Sequence, residues 1–228
     1  SLITPCKKIQ KEKEILSEQA LSAILAAPPN TKAGVRDRAI LVLLYDTAVR
    51  ISELLGIRLC DIALDNPYPS IFITGKGNKE RTLQLSEQSS SHLREYVRVF
   101  HHASAKDDYL FFTTIKGVTG RMSPGNVQRL IKKYAAQVRD LGFDIPQSVY
   151  PHMFRRTRAT NLYQEGVAIE LVSTVLGHAR TDTTRNYYAR PSVEQLRKAL
   201  ESVPTPAGDE EPLWVGSEEE MARLCGLR

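Results

Sequence analysis

The segment VRDRAILVLLYDTA, residues 35–48, constrains the fold of this chain more than any other stretch. It is strongly apolar and contains neither glycine nor proline, the residues that most often interrupt a helix. A helix that is apolar on most of its faces must be covered by other elements, so the segment predicts a buried helix. The neighbouring elements have to supply that cover.

Most of the remaining chain also carries the signature of helices. Ser17 and Ser123 are predicted N-caps, and Gly142 is a predicted helix end. The stretch PSIFITGKGNKERTLQLSE, residues 69–87, instead alternates like two strands, and its glycines and asparagine suit a turn. Further helices are predicted over residues 86–100, 151–165, 168–176, 181–188 and 192–201. The sequence therefore predicts a mainly α protein with a small antiparallel β-sheet, of the α+β class.

The charge of the chain is unevenly distributed. The net charge is +5, yet residues 201–228 hold seven acids and two bases, which leaves +10 on the first 200 residues. A basic body favours a polyanionic partner, and nucleic acid is the commonest such partner. The charge alone is equally compatible with a solvated surface, so a partner has to be inferred from individual residues.

The composition disfavours several classes of protein. No apolar run approaches the roughly 18 residues that a membrane span requires, and the charged start SLITPCKKIQKEKE differs from a signal peptide. The three cysteines, Cys6, Cys60 and Cys225, are far apart, which argues against a disulfide framework and against a zinc cluster. We therefore expect a protein of the reducing cytoplasm that needs no membrane and no metal.

The last part of the chain differs in character from the rest. PTPAGDEEP, residues 204–212, predicts a flexible acidic connector. SEEEMARLCGL, residues 217–227, predicts a short amphipathic helix whose apolar face carries Met221, Leu224 and Cys225. A helix this short cannot bury that face alone, so we expect it to dock on its own domain or on a neighbouring molecule.

Four short clusters have residue types suited to chemistry. They are AVRISEL from residue 48, GKGNKER from residue 75, HMFRRTRAT from residue 152 and LGHARTDTTRNYYAR from residue 176. Taken singly, each has an ordinary explanation, such as a solvated ion pair on a helix or a glycine-rich hairpin turn. GKGNKER is not a P-loop, because the order and spacing of a Walker sequence are missing. Their meaning therefore depends on their occurrence together.

Together and in this order, the clusters resemble the catalytic domain of tyrosine recombinases, the phage-integrase type of site-specific DNA strand-exchange enzymes. The resemblance runs from about residue 17 to 200 and implies the tyrosine recombinase catalytic-domain fold. AVRISEL matches the family motif G/A-x-R-x-x-E-L, and the motif L-G-H is intact. HMFR matches H-x-L-R with Phe154 in place of the usual leucine, and Arg156 stands where the family often has histidine. The matched positions imply the catalytic residues Arg50, Lys76, His152, Arg155, His178 and Tyr187, with Glu53 in support.

These residue types suit attack on a phosphodiester. Its anionic non-bridging oxygens must be neutralised, and Arg50 and Arg155 are suited to this because a guanidinium stays protonated and gives bidentate contacts. The hydroxyl of Tyr187 has an unperturbed pKa near 10, so at neutral pH it needs a base or strong activation by the phosphate. His152 is the candidate base.

The remaining candidates would assist the same step. Lys76, on the hairpin turn, would protonate the departing 5′ oxygen, and His178 would hydrogen-bond the phosphate. Tyr187 and Tyr188 are adjacent, so on a helical turn their side chains diverge by about 100° and only one can face the phosphorus. The spacing from His178 selects Tyr187. Nothing in this scheme calls for a metal or another cofactor.

The implied reaction is a transesterification through a 3′-phosphotyrosyl intermediate, with release of a 5′-hydroxyl and without ATP. The implied enzyme is a site-specific recombinase or integrase that breaks and rejoins DNA strands. Among the roles found in the family, we favour an enzyme encoded by a mobile genetic element. Two alternatives stay open. One is a type IB topoisomerase, which relaxes supercoils with a similar set of residues. The other is a DNA-binding module whose active site has decayed.

Contacts to double-stranded DNA are expected from two regions. The helix that starts at Ser123 offers polar and basic side chains to a groove, and residues beside the hairpin turn would contact the backbone near the cut. The candidates are Lys79, Arg81, Ser123, Asn126, Gln128, Arg129, Lys132 and Lys133. A solvated basic face is the alternative explanation for the helix.

The resemblance also implies a domain organisation. Family members usually have a separate N-terminal DNA-clamping domain, so we interpret residues 1–14 as the linker remnant of such a domain and residues 15–202 as the catalytic domain. In relatives a C-terminal segment docks into the neighbouring protomer. Residues 203–228 are therefore expected to be a flexible connector followed by the C-terminal helix. The segment 213–227, which contains this helix, is expected to dock in cis or in trans within a tetramer on two duplexes. We expect the protein to be cytoplasmic and associated with the nucleoid.

Overall fold

Residues 14–75, 79–177 and 197 are described by a computed structural model of the chain. In this part of the chain the helices are α1 (Glu18–Ala26), α2 (Lys32–Asp46), α3 (Ile51–Gly56), α4 (Glu87–Phe100), α5 (Pro124–Asp140), α6 (Pro151–Gln164) and α7 (Ile169–Leu176). The strands are β1 (Ile62–Ala63), β2 (Ser70–Thr74), β3 (Glu80–Gln84), β4 (Phe112–Ile115) and β5 (Val118–Arg121). These elements belong to one compact unit.

Helix α2 lies at the centre of the core, as its apolar sequence predicts. Ile40, Leu41, Leu43 and Leu44 have no exposed surface, and the helix packs against α4 on one side and α6 on the other. It begins earlier than the apolar segment, because the side chain of Thr31 caps it by accepting a hydrogen bond from the Gly34 N–H at 3.2 Å. Its burial on several sides positions the segment that follows it, which leads into α3.

The main sheet consists of β1, β2 and β3 in that order, and both pairings are antiparallel. Ile71 lies opposite Leu83 and Ile73 lies opposite Arg81, so one face of the β2–β3 pair turns towards the core. The hairpin confirms the two strands expected from the alternating sequence. The third strand, β1, is only two residues long and was not predicted, because so short a strand leaves no period to detect.

A second hairpin, β4–β5, was also missed by the sequence prediction. Its turn places Lys116 at φ 50° and Gly117 at φ 81°, the left-handed backbone that a two-residue hairpin turn requires. All four residues of β5 are exposed. This strand therefore lacks the alternation of apolar and polar residues that marks a half-buried strand, and for that reason the sequence did not predict it.

Serine side chains begin three of the helices where the sequence indicated. Ser17, Ser86 and Ser123 accept hydrogen bonds from backbone N–H groups three residues later, at 3.2 to 3.3 Å. Helix α5 ends before Gly142, which adopts φ 89°. None of the helices in the described ranges is long and apolar enough to cross a membrane.

Several predicted features lie outside the described residues. They are the helix predicted over 181–188, all of the helix predicted over 192–201 except residue 197, the connector and the terminal helix, nearly all of the linker at 1–14, the hairpin turn at 76–78, and two of the cysteines. The remaining cysteine, Cys60, is a free and exposed thiol.

Candidate active site

Arg50 is the N-cap residue of α3, directly after the buried end of α2. Its backbone N–H donates to Glu53 Oε2 at 3.0 Å, and its guanidinium Nη1 donates to Glu53 Oε1 at 2.8 Å. The side chain of Arg50 remains 39% exposed. One end of this arginine is therefore oriented by the protein, while its side chain still reaches solvent, where an anion can approach.

Glu53 is buried and receives a third donor from the sheet. Arg81, on β3, donates from Nη2 to Glu53 Oε2 at 2.9 Å. Burial raises the pKa of the Glu53 carboxyl, but the hydrogen bonds from Arg81 and Arg50 and the positive charge of Arg81 outweigh it, so the pKa lies below its usual 4.5. The carboxylate is thus held ionised between two arginines.

Replacing Glu53 with glutamine should destabilise the fold at neutral pH by about 1–3 kcal/mol, because a glutamine amide faces donors on both sides and leaves part of them unpaired. Since the folded-state pKa lies below the ordinary value, the carboxylate stabilises the fold above pH 4.5. That contribution is lost as the pH falls through the folded-state pKa. Urea unfolding of the parent and of Glu53→Gln between pH 3 and pH 8 should therefore show a difference that shrinks at acid pH.

The matched control for this measurement is Glu87→Gln. Glu87 also lies beside an arginine, at 3.6 Å from Arg94, but its side chain is 87% exposed. Exposed ion pairs contribute little to stability, so this variant should unfold like the parent at every pH. A loss in Glu53→Gln that was the same at pH 3 and pH 8 would show that the charge of the carboxylate is not what stabilises this region.

Arg155, on α6, is 1% exposed and connects two chain segments that are remote in sequence. Its Nη1 donates to the carbonyl oxygen of Ala48 and its Nη2 donates to the carbonyl oxygen of Leu176, both at 2.6 Å. Ala48 lies two residues before Arg50 in the chain, and Leu176 lies two residues before His178. The side chain of Arg155 therefore holds together the segments that carry the first and the fourth of the sequence clusters.

Ala48 has an unusual backbone at this junction. Its φ is 49°, which is uncommon for a residue with a side chain, and it is fully buried. The family motif accepts glycine or alanine here, and the left-handed φ explains that preference, since larger side chains are strained in this conformation.

His152 and Arg156 lie on the same helix as Arg155. His152 is exposed in the first turn of α6, three residues before Arg155, and such a spacing places two side chains on one side of a helix. Arg156 is buried, and its Nη2 donates to the Tyr150 hydroxyl at 2.8 Å. The residue that departs from the family pattern thus has a partner of its own at the start of the helix.

Two glycines border this region. A Cβ atom added to Gly75 would lie 3.1 Å from Glu53 Oε1, and one added to Gly177 would lie 2.8 Å from the Cζ of Arg81. Gly177 also has a left-handed φ of 62°, which ends α7. The backbone on either side therefore passes close to the arginine–glutamate group, and a side chain at position 177 would force Arg81 to move.

The structure brings together part of the predicted set. Arg50, Glu53 and Arg155 belong to one network of side chains and adjoining backbone, and His152 lies on the helix that carries Arg155. Lys76, His178 and Tyr187 lie outside the described residues, but the residues that precede the first two, Gly75 and Gly177, border the network.

The predicted DNA-contact residues fall into an exposed and a buried group. On α5, Gln128, Arg129, Lys132 and Lys133 are exposed, whereas Val127, Leu130, Ile131 and Tyr134 turn towards the core. Ser123 is the N-cap, and Asn126 is half-buried and accepts a hydrogen bond from Arg129. This helix therefore presents one basic face to solvent.

The two residues beside the hairpin turn differ. Lys79 is exposed, as a contact to the DNA backbone requires. The side chain of Arg81 is only 13% exposed, and its guanidinium faces Glu53 instead of solvent. In the structure Arg81 therefore contacts the protein through Glu53, and its contact with DNA stays a prediction. The signal was present in the sequence, because Arg81 shares the inward parity of β3 with Leu83.

Comparisons with known proteins identify the family and the fold of this chain. The phage integrase family pattern matches residues 14–195. The tyrosine recombinase XerA of Pyrococcus furiosus is 30% identical over 186 residues, which are 82% of this chain and 60% of that protein. The crystal structure of XerA recombinase has a TM-score of 0.68 and 26% identity, and the match covers 87% of this chain and 66% of that one.

A third relative is known with DNA. The XerH site-specific recombinase bound to its difH substrate, in a pre-cleavage complex, has a TM-score of 0.67 and 26% identity over 88% of this chain and 57% of that one. The chain therefore spans less than two thirds of each of these three relatives. The mainly helical fold with small antiparallel sheets, expected from the sequence, is confirmed by these structures. The chain belongs to the phage integrase family, and it folds as a tyrosine recombinase catalytic domain.

Proposed function

We propose that this protein is a site-specific DNA recombinase that cuts and rejoins strands through a covalent phosphotyrosyl intermediate. The observation that supports this most strongly is the buried Arg155, whose guanidinium binds the carbonyls of Ala48 and Leu176 at 2.6 Å. It ties the segment that leads to Arg50 to the segment that leads to His178. A chain of this family has a use for such a junction, because several cationic groups must surround one phosphate.

In the proposed reaction the hydroxyl oxygen of Tyr187 attacks the scissile phosphorus, and its proton passes to His152. The bond between phosphorus and the 5′ oxygen breaks, and that oxygen takes a proton from Lys76 to leave as a 5′-hydroxyl. Arg50, which reaches solvent, binds the non-bridging oxygens. The positive charge of the buried Arg155 adds to the stabilisation of the transition state. Attack by a 5′-hydroxyl of a second duplex on the phosphotyrosyl bond reverses the step and releases the tyrosine.

The exposed position of Arg50 and the inward position of Arg155 agree with a division of labour between them. Arg50 reaches solvent and is oriented by Glu53, so it can meet an incoming phosphate. Arg155 is held from two sides and fixes the geometry of the surrounding segments. A rigid arrangement of this kind is what preorganised charge stabilisation requires, because little reorganisation is left for the moment of reaction.

Covalent capture of DNA tests this function without knowledge of the target. The full chain is incubated with a library of duplexes of random sequence. Each duplex carries a nick a short distance to the 3′ side of the possible cleavage positions. Cleavage then releases a short fragment with the 5′-hydroxyl, so the strand cannot be rejoined and the protein stays attached. DNA that stays attached to protein in detergent is recovered and sequenced. We expect a defined sequence with a protein-linked 3′ end and a free 5′-hydroxyl, and 5′-linked DNA or no attachment would overturn the proposal.

The basic face of α5 is proposed to bind the duplex. Lys132→Ala and Arg129→Ala should each weaken binding of the captured duplex. Each should also reduce the slope of log K against log salt concentration by roughly 0.9 for each phosphate that the variant no longer binds. Gln137→Ala is the matched control, because Gln137 is also exposed on α5 but carries no charge. Fluorescence anisotropy at several salt concentrations between about 50 and 300 mM measures the affinity and the slope. An unchanged slope in both charge variants would show that this face of α5 is solvated and does not bind the duplex.

Two other functions can be separated from recombination by simple assays. A type IB topoisomerase would relax supercoiled plasmid without joining two target sites, whereas a recombinase joins them. A DNA-binding module with a decayed site would bind the duplex and form no adduct. The same proposal includes assembly into a tetramer on two duplexes through residues 213–227. It also includes a role in a mobile genetic element, in the cytoplasm and at the nucleoid. Sedimentation of the DNA complex formed by a chain that ends at residue 212 tests the role of the terminal segment.

A further inference from the structure

We propose that Arg81 is a positioning residue for strand cleavage, which orients Arg50 through Glu53 and makes no contact with DNA. The inference rests on the proposed function, because it assigns Arg81 a part in the cleavage step. It differs from the sequence-based expectation, in which Arg81 contacts the DNA backbone.

The placement of Arg81 is the first support for this role. Its side chain is 13% exposed, and Nη2 donates to Glu53 Oε2 at 2.9 Å across 28 residues of sequence. Its neighbours on the strand, Glu80 and Thr82, are exposed, so the strand alternates and directs Arg81 inwards together with Leu83. A guanidinium in this position is engaged with the protein and has little surface left for a phosphate.

The contacts around the guanidinium are the second support. A Cβ atom added to Gly177 would lie 2.8 Å from both Cζ and Nη1 of Arg81. One added to Gly75 would lie 3.5 Å from Nη1 of Arg81. Arg81 therefore lies against the end of α7 and against the start of the hairpin turn. Gly75 is also joined to Lys79 by a backbone hydrogen bond of 2.7 Å, so the base of the hairpin is held in the same place.

The way Arg81 acts on Arg50 follows from the two oxygens of Glu53. Oε1 accepts from the Arg50 guanidinium, and Oε2 accepts from Arg81 and from the Arg50 backbone N–H. Without Arg81 the carboxylate loses its charged donor on one side and can rotate. The Arg50 guanidinium would then move with it, and a misplacement of about 1 Å in a catalytic group can cost about 100-fold in rate.

Lysine cannot replace arginine in this role. The guanidinium is flat and forked, so it can lie against the Gly177 backbone and still donate sideways to Glu53, whereas an ammonium is a compact point charge. Arg81→Lys should therefore keep the charge, recover much of the stability lost in Arg81→Ala, and still cleave slowly. This separation of stability from rate is not expected of a residue that only supports the fold.

The experiment compares the full chain with Arg81→Ala, Arg81→Lys, Glu53→Gln and the double variant Arg81→Ala/Glu53→Gln. The matched control is Arg121→Ala. Arg121 also donates to α3, from the other hairpin, to the Ser52 carbonyl at 2.7 Å. The nicked duplex captured by the parent is the substrate. Adduct formation at saturating protein gives the cleavage rate, anisotropy gives Kd and its salt slope, and thermal unfolding defines a temperature at which every variant is folded.

We expect Arg81→Ala to lower the saturated cleavage rate by about 100-fold with an unchanged Kd and an unchanged salt slope, and Arg121→Ala to cleave like the parent. In the Glu53→Gln background, removal of Arg81 should cost only about threefold, because the two residues act through one another.

Three outcomes would overturn the inference. A weaker Kd with a salt slope reduced by roughly 0.9 would make Arg81 a phosphate contact. Equal rate losses in both backgrounds would show that Arg81 does not act through Glu53. Cleavage at the parental rate would show that it does not position the site. If the parent chain formed no adduct at all, the proposed function itself would be wrong. That outcome is distinct from the three above, in which the parent chain cleaves DNA.

Discussion

The Tyr187→Phe variant should form no covalent adduct with a nicked duplex that the parent chain captures, although it should bind that duplex as tightly as the parent. The phenol oxygen is the proposed nucleophile, and phenylalanine keeps the ring but removes that oxygen. Phenylalanine has no atom that can form a bond to the phosphorus, so the loss should be complete and not gradual. Gel electrophoresis in detergent after incubation with labelled duplex measures the adduct, and anisotropy measures the binding.

The neighbouring tyrosine provides the matched control for this experiment. Tyr188→Phe removes a hydroxyl one residue further along the chain and should still form the adduct, since adjacent side chains on a helical turn diverge by about 100°. An adduct in Tyr187→Phe, together with its absence in Tyr188→Phe, would move the nucleophile to Tyr188. An adduct in both variants would exclude both tyrosines and end the proposed mechanism.

The second large effect is expected at Arg155. Replacing it with methionine keeps the length of the side chain but leaves the Ala48 and Leu176 carbonyls without their donors. Each unsatisfied buried carbonyl costs about 1–3 kcal/mol, so the free energy of unfolding should fall by about 2–6 kcal/mol. Cleavage by the fraction that stays folded should fall by about 100-fold to 1,000-fold, as is typical when one charge-stabilising donor is removed. Urea unfolding and the adduct assay measure the two effects.

Arg156→Met is the control for Arg155→Met. Arg156 is the next residue, and it is also buried, but its guanidinium donates to one hydroxyl group, that of Tyr150. Its loss should cost about 1 kcal/mol, the net value of one hydrogen bond, and should affect cleavage far less. If both variants lost stability and activity equally, the junction at Arg155 would have no special part in the site, and burial of a charge on α6 would explain both results.

The helical framework of this protein could be predicted from the sequence because its signals are local. The Ser17, Ser86 and Ser123 caps bond to groups three residues away, and the apolar run of α2 needs no partner to be recognised. The ion pair between Arg50 and Glu53 is local in the same sense, since its members are three residues apart. Patterns of this range can be read directly from the chain.

The arrangement of the site could not be predicted in the same way. The Arg155 bonds span 107 and 21 residues, and the Arg81 bond to Glu53 spans 28. Such distances in sequence become contacts only when whole elements pack, so no window of neighbouring residues contains them. Family resemblance supplied the candidate residues, but it did not indicate that Arg81 turns inward and joins Glu53. The alternation of β3 carried that information and was outweighed by the basic character of the hairpin.

The backbone at Ala48 has a consequence for how this region folds. A non-glycine residue in the left-handed region costs roughly 1–2 kcal/mol, and at position 48 this cost falls on a fully buried alanine whose carbonyl is bonded by Arg155. An isolated peptide from this segment would relax to an ordinary conformation and would point Arg50 elsewhere. The orientation of Arg50 therefore depends on the packing of α6 as well as on the local pair with Glu53. In the proposed reaction, a chain in which α6 had not packed against this segment would lack the alignment of Arg50 that cleavage needs.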